Sequence, residues 1–73
     1  MTMANKIIIT RREQSSGHIV VMLEIRGYIY AATYAPGSDV SDKAVRADLK
    51  RHGYGKNKTK GFRPYNQTTG RYL

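Results

Sequence analysis

This sequence predicts an α+β fold of the order β-β-β-α, in which a small three-stranded antiparallel sheet packs against one helix. Three observations lead there. Residues 6–34 hold three runs rich in β-branched and aromatic residues, parted by Gly- and Ser-containing breaks; residues 42–52 have helical periodicity between a serine and a glycine. With 73 residues the chain has room for a single thin core. We expect a β-β-β-α domain over 1–53 and a basic, Gly- and Tyr-containing C-terminal extension over 54–73, with room in it for a further hairpin.

The first run, "KIIITRR", is rich in β-branched residues, and the "EQSSG" after it supplies turn-forming Ser and Gly. In "HIVVMLEIR" strict alternation places Ile19, Val21, Leu23 and Ile25 on one face, expected to be core, and His18, Val20, Met22, Glu24 and Arg26 on the other. Arg26 and Gly27 then either turn the chain tightly into "YIYAATY" or leave one long bent strand. In that third run Tyr28, Tyr30, Ala32 and Tyr34 oppose Ile29, Ala31 and Thr33, and "APGSD" ends it because Pro36 lacks an N–H donor.

A helix is predicted from Asp42 to His52, with Ser41 or Ser38 as N-cap and Gly53 as its stop. Asp39 and Asp42 suit the positive end of its dipole, Lys50 and Arg51 the negative end. At 100° per residue, Ser41, Val45, Leu49 and His52 share one side while Lys43, Arg46 and Lys50 line the opposite one. In element order alone, the chain is similar to small domains that lay a three-stranded sheet into a DNA groove with a helix behind it. That similarity implies that the uncovered sheet face would be the binding face.

Charge carries the functional expectation. The formal net charge is +8, and all five acids (Glu13, Glu24, Asp39, Asp42, Asp48) precede residue 49, whereas Lys50, Arg51, Lys56, Lys58, Lys60, Arg63 and Arg71 follow it. A polyanionic partner is expected. Each cation set against a phosphate releases counterions, and interleaved aromatics can stack on bases or contact sugars. The expected nucleic-acid-binding residues are Lys43, Arg46, Lys50, Arg51, Lys56, Lys58, Lys60, Arg63 and Arg71, with Tyr54, Phe62 and Tyr65. The bland reading of the extension makes "KNKTK" a solvated loop and joins "FRPY" to "GRYL" as a last hairpin whose aromatics complete the core. Tyr28, Tyr30 and Tyr34 likewise have two readings: packing, or stacking bases from an open sheet face.

The chain reads as a non-enzyme. Its only histidines, His18 and His52, have no Cys or spaced acid cluster with which to bind a metal, so no metal or cofactor is expected. The acids are scattered, and "HGYGKNKTKG" lacks the order of a phosphate-cradling loop. With no Cys, no signal-peptide core in "MTMANKIIITRR" and no apolar run long enough for a bilayer, a soluble cytoplasmic protein is expected, with no membrane partner. So thin a core leaves room for a homodimer. Two function classes follow: a basic accessory or regulatory protein that binds nucleic acid, DNA ahead of RNA, or a non-enzymatic modulator of phage or mobile-element type that docks on an acidic protein surface.

Overall fold

The computed structural model describes residues 6–56 and 60–73. Three strands, β1 (Ile7–Glu13), β2 (Ile19–Ile25) and β3 (Tyr28–Tyr34), lead into helix α1 (Asp42–His52) and a hairpin of β4 (Arg63–Asn66) and β5 (Arg71–Tyr72). The strands form one antiparallel sheet in the order β1-β2-β3-β4-β5. The expected α+β, β-β-β-α core is present, and the C-terminal hairpin adds two strands to it. Among the described residues, no helix is long and apolar enough to cross a membrane.

Each turn has its local chemistry. In the β1–β2 turn the Gln14 N–H donates to the His18 carbonyl at 2.8 Å and the Gly17 N–H to the Gln14 carbonyl at 2.9 Å. The β2–β3 link is the tight one: Ile25 pairs with Tyr28, leaving Arg26 (φ +53°) and Gly27 (φ +83°) as a two-residue turn. Positive φ at both positions matches the right-handed twist of the flanking strands. In α1 the Ser41 hydroxyl accepts from the Ala44 N–H at 3.3 Å, and the Gly53 N–H donates to the Leu49 carbonyl at 2.7 Å. Between β4 and β5 the Asn66 side chain accepts from the N–H groups of Thr68 and Thr69, which closes the turn locally.

Helix α1 covers one face of the sheet. There Val21, Leu23, Ile25, Val45 and Phe62 form the main core, with Ile7, Ile9, Tyr30, Val40 and Leu49 packed around them. The alternation in β2 therefore puts its Ile and Leu side against the helix, as expected. Its other side is not a solvated face: Val20, Met22, Ala31 and Tyr65 make a second buried cluster, with Ile29 and Tyr72 against it. Two aromatics of the C-terminal hairpin supply that cover, so β2 is buried on both faces. Phe62 comes from the same segment and is 1 % exposed in the main core. Both cores thus depend on residues that follow α1.

Candidate nucleic-acid interface

The two faces of the sheet decide where each expected binding residue lies. Lys43, Arg46 and Lys50 are exposed on the side of α1 away from the sheet, and Arg51 is exposed beside them. Arg63 pairs across to Ala31, so its side chain shares the opposite sheet face with Met22 and Tyr65, and its guanidinium sits 4.9 Å above the Tyr72 ring. Arg12, which the sequence reading left out, lies opposite Val20 and shares that face from β1. Lys56, Lys60 and Arg71 are exposed, while Lys58 lies outside the described residues. Among the described cations, Lys43, Arg46 and Lys50 therefore lie on one side of the sheet and Arg12 and Arg63 on the other, in a molecule whose short dimensions are 25 and 20 Å. They do not form a single patch.

The aromatics are redistributed as well. Phe62, expected to contact nucleic acid, is a core side chain with no free ring face, and Tyr65 is only 6 % exposed. The Tyr28–Tyr34 row lies on the helix side of β3 and not on the open face, which corrects the open-face stacking reading. Tyr30 packs into the main core, and Tyr34 donates its hydroxyl to Asp48 of α1 at 2.8 Å. Burial, reinforced by that bond and by the Asp48 charge, pushes the Tyr34 hydroxyl well above the ordinary tyrosine pKa. Tyr54 is 43 % exposed and meets Tyr30 edge-on at 4.8 Å. On the open face the aromatics are Tyr65 and Tyr72, at 5.2 Å in an edge arrangement, and the Tyr72 hydroxyl lies 3.1 Å from Thr33 Oγ1.

Charge pairing is sparse. Among the described residues the ion pair is that of Arg11 with Asp42, which ties β1 to the start of α1, and Arg11 also donates to the Val40 carbonyl. Just before the helix, the Ser41 N–H donates to Asp39 at 3.0 Å and, with the serine side chain, holds the Asp39 carboxyl below the usual carboxylate range. Every described cation from Lys43 onward is solvent-exposed and has no carboxylate partner among the described residues.

A cleft of about 470 Å³ opens where β3 loses β4. The two strands pair only at Tyr30 and Ala31, and beyond them Gly61 diverts the chain toward the end of α1. Tyr34, Asp48, His52, Lys60, Arg63 and Tyr72 are among its walls. His52 therefore borders this cleft at the helix end. No group of three or more His, Asp or Glu able to hold a metal ion occurs among the described residues. No protein-family model, curated protein or solved structure matches the chain.

Proposed function

We propose that the protein is a small nucleic-acid-binding accessory protein that grips phosphates with the outer side of α1 and the cations that follow it. The observation that carries this reading is that Lys43, Arg46, Lys50, Arg51, Lys56, Lys60, Arg63 and Arg71 are exposed with no carboxylate partner among the described residues, in a sequence with no acid after Asp48. A charge paired with a carboxylate has little left for a phosphate, whereas an exposed unpaired one exchanges water and counterions for it. Lys43, Arg46 and Lys50 serve as point contacts to the backbone. Arg12 and Arg63 belong to a second, weaker contact on the open sheet face.

The test is fluorescence anisotropy with duplex DNA, single-stranded DNA and duplex RNA at low and near-physiological salt. It compares the intact chain with a triple variant, Lys43→Gln, Arg46→Gln and Lys50→Gln. We expect binding to fall steeply with salt, and the slope to drop by roughly 0.7–0.9 for each lost phosphate contact. No binding at low salt, or an unchanged slope in the triple variant, would sink the reading. In that event the modulator reading gains, because β1 is an edge strand with Ile8 47 % exposed and offers a partner's sheet a free edge.

A further inference from the structure

The β2–β3 hairpin end has two features that a grip on phosphates leaves unexplained. The first is Arg26, whose φ of +53° lies in the left-handed region that side chains with a Cβ avoid. It is the non-glycine residue with positive φ among the described residues, at a turn position where Asn or Gly would sit with less strain. The second is Tyr28, next along the chain after Gly27 and 69 % exposed, the most exposed aromatic ring among the described residues. Arg26 is strained here, and the Tyr28 ring contributes little burial to the fold.

The surroundings suggest what they serve. Tyr28 and Tyr30 share a face of β3, and Tyr30 holds Tyr54 edge-on at 4.8 Å with 60° between the rings. Tyr54 stands two residues beyond the last residue of α1, whose final turn carries Lys50 and Arg51, and Lys56 follows. The hairpin end thus exposes the Tyr28 ring with Arg26 at its tip, and Tyr54, held on Tyr30 two positions along the same strand face, adds a second exposed ring. Glu24, the nearest acid in sequence, pairs with Ile29 and belongs to the opposite sheet face.

We propose that Tyr28 and Tyr54 form a stacking platform for unpaired bases, with Tyr30 as the residue that positions Tyr54 and Arg26 as a phosphate contact at the tip. The ligand class is single-stranded nucleic acid. This rests on the phosphate-gripping reading above and narrows it. Unpaired bases expose ring faces that tyrosine can cover whatever the base, whereas bases inside a duplex already stack on each other.

The experiment measures anisotropy of a short mixed-sequence single strand, as DNA and as RNA, and of the corresponding duplex. It uses the intact chain and the variants Tyr28→Ser, Tyr54→Ser, Arg26→Asn and Arg26→Lys, each also melted thermally. The intact chain is expected to prefer the single strand. Each serine variant should lose roughly tenfold or more in single-strand affinity, with the salt slope unchanged because no charge is removed. Arg26→Asn should melt several degrees higher and yet bind more weakly with a shallower salt slope, whereas Arg26→Lys should bind like the intact chain. If the intact chain binds but both serine variants match it on the single strand, the platform is refuted while the phosphate grip stands. If Arg26→Asn binds with unchanged slope, Arg26 is no contact. If the intact chain binds no nucleic acid even at low salt, both readings fall together.

Discussion

Single residues show where burial overrides composition. Phe62 sits among cations and glycines, which in sequence reads as a contact residue, yet it is the largest fully buried side chain of the main core. Gly61 lets it get there: with φ at +105°, a Cβ at this position would stand 2.7 Å from the Gly53 carbonyl oxygen and 3.1 Å from the His52 Cβ. Gly61→Ala is therefore expected to lower stability by roughly 2–4 kcal/mol, combining the left-handed penalty with a backbone clash, as a urea midpoint would read. Tyr34 gives a pH prediction. Its folded pKa is raised, so the native state keeps the proton that the unfolded chain gives up above the ordinary value of about 10. Its contribution is fully present below that pH and is lost as pH rises further. Tyr34→Phe should cost about 1 kcal/mol at neutral pH and flatten the alkaline loss of stability, both visible in urea melts across pH.

Among the elements, α1 was the most legible because its signals are local: a serine cap, acids at the start, cations at the end and a glycine stop. Its bounds are those the sequence predicts, and of the two serines offered as N-cap the structure uses Ser41. Ser41→Ala should cost about 1 kcal/mol of stability, since the Ala44 N–H loses its acceptor. The C-terminal hairpin was legible as an option only, because nothing in "NQTTG" says whether β4 will find β3 to pair with. The pairing of β4 with β3, which brings this segment's aromatics to the sheet, has a large energetic effect. A chain of this length has a total stability of about 4–11 kcal/mol, and Phe62→Ala alone should remove about 3–5 of it. A chain ending at Gly53 lacks both Phe62 and Tyr65 and is expected to show no cooperative thermal transition by circular dichroism. Binding studies therefore need point substitutions in the intact chain.

For the whole molecule, the sheet separates what the sequence groups. Of the residues read as one binding set, Lys43, Arg46 and Lys50 fall to the outer side of α1, Arg63 to the opposite sheet face, and Phe62 and Tyr65 to the two cores. Cations on opposite sides of a layered molecule do not meet one flat ligand surface together. Neutralising Lys43, Arg46 and Lys50 should therefore weaken nucleic-acid binding more than neutralising Arg12 and Arg63. The two losses should add in free energy to within about 0.5 kcal/mol in anisotropy titrations, as expected for distant sites that share no partner.

The three long strands and the helix with its glycine stop were determined by the sequence itself, because each rests on neighbours within a few residues. So was the charge imbalance, which is a property of composition. Only the tertiary structure decided which face of β3 its tyrosines occupy, that β2 is buried on both sides, and that Phe62 and Tyr65 belong to the cores. Those outcomes depend on β4 pairing with β3 across a helix and a loop, and side-chain periodicity within a strand carries no information about which layer will cover each face.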